Sequence, residues 1–512
     1  MIKSVKQISL VFLAVLTLSC SKEDEVELNA IDAPNSKVAL KSVSYNDYDS
    51  ENYFEKPSDL PVKNFTGTTS TELQMLIDNN KEHGAIIKIP KNIYAWGEVQ
   101  LRSKIQLEIE KNTIIKPLNN SVKRLFSIGI YGTGERVTDV SIVGDGGKFT
   151  VDLSASANLN KQMAVVKVGR VSNFRIANFR IKERRTALAS ILVSYIKSDI
   201  DNEPFPKNGV IEEINQIGIS HTGYGLVQGY SASKVLFKNL SCIGGVTLRL
   251  ETDDRTMKGA VKDGGKAFGL NEVYAYGIRC TSGICPLMLS PHFSQNGMIH
   301  AKSITAVGCA FAVRVEQGFV EVFDTNKAYA PTTAGGIEFR NFIASKISGV
   351  GSSNKFVGAQ YKRGNNNDQW AIRLSDASIN GTLDSYIKTQ IGTLKSGIFL
   401  NTTISEVKAF YRPTDAKLKQ TYLAFFPCNE WTTKIKRPTD IGMGSGFEYY
   451  GPSMGLRFDN TDGTTSNGNY VIIVSGNAIG FGSNLRNVLY DTPEACTSNA
   501  YGSIPTTTSP GL

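Results

Sequence analysis

The stretch Thr247-Leu248-Arg249-Leu250-Glu251-Thr252-Asp253 sets two carboxylates and a guanidinium at alternating positions. In an extended strand alternate side chains point to opposite faces, so Leu248 and Leu250 share one face and Arg249, Glu251 and Asp253 the other. Carboxylates two positions apart on a strand stand roughly 6.5 to 7 Å apart at Cα. This is near the low end of the separation, about 6.5 to 9.5 Å, at which one carboxylic acid protonates a leaving oxygen while a second carboxylate activates water on the opposite face of a sugar. Mutual repulsion of Glu251 and Asp253 should raise the pKa of one and make it the acid, with Arg249 moderating the effect. An isolated Glu-x-Asp is more often a row of solvated charge, so its neighbours have to decide.

Those neighbours recur at useful intervals. Gln228, in Tyr224-Gly225-Leu226-Val227-Gln228-Gly229-Tyr230, lies 21 residues before Arg249 and 23 before Glu251. On the other side, Pro286-Leu287-Met288-Leu289-Ser290-Pro291-His292 puts Met288, Ser290 and His292 on one face, with His292 41 residues after Glu251. Further on, Val313 and Val315 turn inward while Arg314 and Glu316 turn outward. The outward arginines Arg249, Arg255, Arg314 and Arg373 can each grip an oxyanion with two parallel hydrogen bonds. Singly, a histidine is more often structural and an arginine more often surface charge. The chemical reading therefore rests on the set.

A set spaced in this way needs a scaffold that repeats. The phrase short strand, Asn or Gly turn, short strand recurs in VSNFRIANFRI, ASKVLFKNLSCIGG, LNEVYAYGIRCTSG, GMIHAKSITAVGC and GIEFRNFIASKISG. Taking Phe174, Val235, Val273, Met298 and Ile337 as equivalent marks gives intervals of 61, 38, 25 and 39. Intervals of about 20 to 25 fit single coils of a solenoid, and longer ones need insertions or more than one coil. Stacked coils bury the inward positions continuously, and outward residues on successive coils form ladders. Near the start, Leu73, Leu76 and Ile77 mark one face of a short amphipathic helix over Thr71 to Asn80, followed by strands over 85–90, 97–101 and 105–117. This order resembles the entry of right-handed parallel β-helix enzymes such as pectin-degrading hydrolases, where a capping helix covers the first coil. The expected fold class is all-β: a parallel β-helix over 66–404 with a C-terminal cap or subdomain over 405–512, where the phrase weakens. Asp459 and Asp462 read as a polar turn, because the full ligand pattern of a calcium loop is missing.

The N-terminus has a separate logic. Lys3 and Lys6 precede an apolar run from Ile8 to Leu18 that is too short for a membrane helix, giving a signal peptide over 1–19. Cys20, followed by Ser21-Lys22-Glu23-Asp24-Glu25, resembles the lipidated cysteine and export signal of bacterial surface lipoproteins, with ordinary secretion as the alternative. Residues 20–65 then read as a lipidated N-terminus and flexible tether. Cys428 with Cys496 is the expected disulfide, and Cys280 and Cys285 lack the further ligands of a zinc site. The 512-residue chain carries a net charge of +9, but residues 61–512 hold 50 basic against 37 acidic residues. A cationic body favours a polyanion, and for an exported protein an acidic polysaccharide is more economical than nucleic acid.

Thr247 to Asp253, the preceding GYGLVQGY of 223–230 and the LSPH of 289–292 together resemble the iota-carrageenases, glycoside hydrolase family 82. The resemblance covers nearly all of the mature chain. It implies endo-acting, inverting cleavage of the β-1,4 bonds of a doubly sulfated galactan by a monomer, with Glu251 as general acid and Asp253 as general base. Gln228 would help hold the water or a bound anion, and His292 would assist. No cofactor is required by it, though structural calcium or sodium and an active-site chloride fit within it. The residues alone leave two alternatives open, a polysaccharide lyase on an acidic polysaccharide and a non-catalytic glycan-binding surface protein. The paired roles predict that Glu251→Gln and Asp253→Asn each abolish nearly all turnover in a folded protein, measured as reducing ends released. Near-normal turnover in either variant would remove that residue from its role.

Overall fold

Short strands rich in Val, Ile, Leu and Phe bury alternate residues, and where a corner rather than a hairpin turn follows each strand the next can only stack in parallel. The computed structural model describes residues 44–154, 163–183, 189–198, 203–217, 225–252, 257, 269–292, 294–316, 320–324, 347–348, 356–360, 370–374, 382–383, 397–437, 440, 448–459, 472–482, 488–490, 498–499 and 502–503. Two parallel stacks carry the fold. The longer follows Val62–Asn64, Ala85–Ile89, Ile105–Glu110, Val137–Asp145, Val171–Lys182, Lys207–Ile217, Ala232–Lys238, Leu270–Thr281, Ile299–Val307, Thr403–Phe410 and Ile473–Ile479. The other, called the site sheet below, runs from Val99–Leu101 through Arg124–Ile128, Ala164–Val168, Ile191–Val193, Val227–Gly229, Val246–Glu251, Cys285–Ser290, Val313–Val315 and Arg457–Asp459 to Val488–Tyr490. The chain visits the stacks alternately, one strand in each per coil, which is a right-handed parallel β-helix as expected.

Two lines of left-handed residues bend the longer strands. One passes through Lys104, Asp139, Asn173, Asn208, Lys234 and Glu272, the other through Asn178, Glu213, Asn239, Gly277, Ser303 and Glu406, all at φ between 50° and 68°. Within each line, neighbours stand in register one coil apart. Asparagine tolerates this conformation and so announces a bend in the sequence; lysine, glutamate and serine do not. Side-chain bonds tie the bends together, as where Asn239 Nδ2 donates to Glu213 Oε1 at 2.7 Å and Asn173 Nδ2 to Asp139 Oδ1 at 2.7 Å.

The entry helix spans Ser70–Asp78, with Thr69 and Glu72 forming a capping box and Leu73 and Ile77 buried against the first coil. Of the equivalent marks, Phe174, Val235 and Val273 do share one inward ladder, but the coil between Phe174 and Val235 presents Gly209 there. The Phe174 ring fills that space, since a Cβ on Gly209 would fall 2.0 Å from it. The interval of 61 is therefore two coils. Met298 is one residue out of register, the ladder residue being Ile299, and Ile337 lies outside the described residues.

Three boundaries differ from expectation. Order begins before residue 66, because Tyr48, Tyr53 and Phe54 pack on Val210, Leu236 and Tyr274 across several coils. Ser50 Oγ also donates to Glu212 at 2.7 Å there. Three aromatics suffice to pin a segment whose average composition is polar. The coils also continue past residue 404, since Thr403–Phe410 pairs in parallel with Ile299–Val307 and Arg457–Asp459 with Val313–Val315. Conversely, Val320–Asp324, Phe356–Gln360 and Trp370–Leu374 form an antiparallel sheet outside both stacks, an insertion within the span first assigned wholly to coils. Asp459 is no turn residue: it is buried at an inward register position and paired with Arg457. Cys428 is disulfide-bonded, and its expected partner Cys496 lies outside the described residues. Cys242, Cys280, Cys285 and Cys309 are free and buried.

Beneath the central strand, Leu250 is buried between Gly229 and Leu289 of the adjoining coils, and its Cδ2 lies 3.2 Å from where a Gly229 Cβ would be. Leu250→Ala should cost about 2–5 kcal/mol, measured from the urea midpoint. Adding Gly229→Ala to that variant should recover part of the loss by filling the vacated space, and no recovery would show that Leu250 does not supply the bulk for both positions.

Candidate active site

Register on the site sheet determines which side chains meet. Gln228, Arg249, Met288 and Arg314 occupy one outward line on four successive coils, and Glu251 stands opposite Ser290 two residues further along the strands. The residues between them, Leu248, Leu250, Leu287, Leu289, Val313 and Val315, point inward and are buried. The alternation expected for Arg249 and Glu251 is thus observed.

Glu251 is the centre of the contacts. Arg249 grips it with Nη2 2.7 Å from Oε1 and Nε 2.6 Å from Oε2. Gln228 Nε2 donates to Oε2 at 3.3 Å and to the Glu251 carbonyl at 3.2 Å, and His292 Nε2 lies 3.0 Å from Oε1. His292 arrives by an unexpected route. It lies past the end of its strand at φ 49°, so a left-handed turn, not strand alternation, brings its ring back. The backbone after Glu251 is held equally firmly. Thr252 N donates to Ser290 O at 3.0 Å, Thr252 Oγ1 to Pro291 O at 2.7 Å, and Asn296 Nδ2 to Thr252 Oγ1 at 3.2 Å. These buried supports carry no chemical signature in the sequence.

The Glu251 side chain is only 13% exposed. Burial would push its carboxyl up, but Arg249 and His292 outweigh burial and hold it well below the usual carboxylate range. Arg249 and His292 thus favour the ionised form of Glu251 even with the Glu316 carboxylate close by, while Asp253, the other member of the expected pair, lies outside the described residues.

A second group lies on the C-terminal side. Arg314 pairs with Glu316, whose carboxyl burial would raise but Arg314 and Lys419 lower. Lys419 and Tyr422 come from a distant segment. Strand Ala416–Lys419 pairs antiparallel with Glu448–Gly451 and packs over the outer face of the sheet through a cluster that includes Phe311, Leu418, Tyr422 and Phe458. Burial and Arg314 push the Lys419 ammonium down to about 7, and burial pushes the Tyr422 hydroxyl up. No periodicity links Lys419 to Arg314, so sequence reading missed it. Ligand atoms of Glu251, His292 and Glu316 lie within 4.8 Å of one another. Arg249 and Arg314 already supply the positive charge to these carboxylates, which disfavours a metal cation among them.

Arg249, Glu251, Gln228, His292 and Arg314 thus share one face. Asp253 and Arg255 lie outside the described residues. Arg373 is in strand Trp370–Leu374 of the inserted sheet, opposite Glu321, and its side chain is also outside the description.

An outward carboxylate held by an arginine and an imidazole, set on a β-helix with cationic side chains around it, defines the class: a β-helix enzyme acting on an anionic polymer. No protein-family model matches the chain. It is 39% identical over 507 residues to an iota-carrageenase of Zobellia galactanivorans, covering 96% of this chain and 97% of that one. It is 31% identical over 449 residues to an iota-carrageenase of Alteromonas macleodii, covering 84% and 86%. Among solved structures, the GH82 iota-carrageenase from A. fortis in absence of chloride ions superimposes with a TM-score of 0.75 at 28% identity, over 92% of this chain and 96% of that one. An iota-carrageenase complexed to iota-carrageenan fragments gives 0.74 at 28% identity, over 91% and 99%. The chain belongs to the iota-carrageenases of family GH82.

Because the folded-state pKa of Glu251 is depressed, its ion pairs stabilise the protein above the ordinary glutamate range and are lost as pH falls through the folded value. The difference in melting temperature between the native protein and Glu251→Gln should therefore be largest near neutrality and narrow below pH of about 4. A constant difference across that range would mean that Glu251 is not held ionised.

Proposed function

We propose that this protein is an endo-acting glycoside hydrolase that cuts the β-1,4 bonds of iota-carrageenan with inversion. The single observation that carries the reading is the Glu251 carboxylate clamped by Arg249, Gln228 and His292 on the outer face of a β-helix whose relatives are iota-carrageenases. Glu251 is the general acid. At rest it is ionised, and the proton it must give is held across the 3.0 Å contact by His292 Nε2. A sulfated chain over the site expels water and adds negative charge, both of which favour a neutral Glu251. The proton then passes from Nε2 to Oε1 and on to the leaving oxygen. Asp253, two positions along, is the base that activates water on the opposite sugar face. Arg249, Arg255, Arg314 and Arg373 serve as sulfate contacts, and the cationic body draws the polyanion.

An active-site chloride belongs to this reading only conditionally. Gln228 Nε2 already serves Glu251 and its buried Oε1 has no partner, so Gln228 offers an anion a donor only by turning its amide over. The basic residues and apolar run before Cys20 support an exported, lipid-anchored protein at the outer-membrane surface.

Incubation with iota-, kappa- and lambda-carrageenan, pectate and alginate, reading reducing ends and ultraviolet absorbance together, tests the reading. Reducing ends from iota-carrageenan with an early fall in viscosity and no new absorbance are expected. New absorbance would assign a lyase, and retention without cleavage a binding protein. His292→Ala should lower kcat by about 10²-fold or more while Glu251 remains in place, and an unchanged kcat would remove His292 from the proton path.

A further inference from the structure

Strand Ala416–Lys419 belongs to no coil, yet it ends beside the site. Its Ala416 and Leu418 are buried, while the half-buried Lys419 is electrostatically coupled to Arg314, Glu316, Arg249 and Glu251. Among the described residues the Lys419 ammonium makes neither a hydrogen bond nor an ion pair. Tyr422, from the turn that follows, has a buried hydroxyl with no partner, and its ring lies under the Arg314 guanidinium, 5.7 Å from Cζ to the ring centroid. Arg314 pairs with Glu316 but its buried Nε has no acceptor. Buried donors nearly always have acceptors. Here two buried donors, Arg314 Nε and the Tyr422 hydroxyl, lie without one, and the half-buried Lys419 ammonium stands beside them at the edge of a site for an anionic polymer.

An acceptor that serves the Arg314 Nε, the Tyr422 hydroxyl and the Lys419 ammonium together is rich in oxygen, and an anionic one also relieves the repulsion between Arg314 and Lys419. We propose that Lys419, Arg314 and Tyr422 form a pocket for one sulfate half-ester of the substrate, with Lys419 supplied by the C-terminal segment as a specificity-determining residue. A half-ester stays ionised and presents three oxygens, one for each donor. This inference rests on the reading of the substrate as a sulfated galactan and adds the place where one sulfate is held. Register sets Glu448 opposite Lys419 across the hairpin, so the rival role for Lys419 is a structural pair with Glu448.

The test separates binding from turnover. In the active protein, Lys419→Met should raise KM for iota-carrageenan at least about tenfold, the loss of one hydrogen bond to a charged group, with kcat within about threefold of normal. Lys419→Arg should restore much of the loss, and Glu448→Gln should leave KM unchanged. Binding of iota-carrageenan oligosaccharides to Glu251→Gln should show the same penalty on adding Lys419→Met, and chemically desulfated oligosaccharides should show none. Binding at pH 8 should take up a proton at Lys419, which calorimetry in two buffers reads as the difference between Glu251→Gln with and without Lys419→Met. Tyr422→Phe, which keeps the ring, should give a smaller rise in KM and stands in if Lys419→Met fails to fold. A KM within twofold of normal in both variants, an equal penalty on desulfated ligand, or a Glu448→Gln defect matching Lys419→Met would each overturn the pocket. Oligosaccharide that binds but is not cut would instead overturn the hydrolase reading with the pocket intact, and absence of any binding by the native protein would overturn both.

Discussion

In a parallel stack a side chain on one strand sits beside the residue in register one coil away, about 4.8 Å distant, and the whole site is a consequence of that constraint. Glu251 meets Gln228 because their strands adjoin, and Arg249 because the two lie on one face of the same strand. Inward residues cannot shift by one position without exposing the core, so the outward residues cannot shift either. The burial of Leu248, Leu250, Leu287 and Leu289 thereby determines the aim of the polar groups above them.

The second constraint is electrostatic. A carboxylate as enclosed as Glu251 would ordinarily be protonated, and the Arg249 guanidinium with His292 reverses this. The same neighbourhood holds Arg314 with Glu316, so charges of both signs alternate along the face. Such an arrangement is sensitive to one more anion. A bound sulfate shifts the balance toward protonated acids, which couples substrate arrival to protonation of the group that must give its proton to the leaving oxygen.

Legibility in the sequence followed the reach of each signal. The face shared by Arg249 and Glu251 depends on local alternation alone and was readable. Phe174 and Val235 were readable as one ladder, but the coil between them was hidden because Gly209 yields its space to the Phe174 ring and leaves no apolar mark. The bends at Lys234, Glu272 and Glu406 were equally hidden, since their left-handed backbone is imposed by stacked neighbours and not by their own preference. Tyr48, Tyr53 and Phe54 were lost in the average of a polar segment, though each finds an apolar partner on the coils.

By itself the sequence determined the repeating all-β architecture, the inward and outward faces of the central strand, the cationic body and, through short motifs, the family. These properties depend on period, composition and residue order, which survive without coordinates. Only the tertiary structure decided that His292 returns to Glu251 through a left-handed turn, that Glu251 is held ionised, and that Lys419 and Tyr422 reach Arg314 from 105 and 108 residues away. The reason is that an inserted segment packs by the shape and charge of the surface it covers, and no spacing along the chain records where it lands.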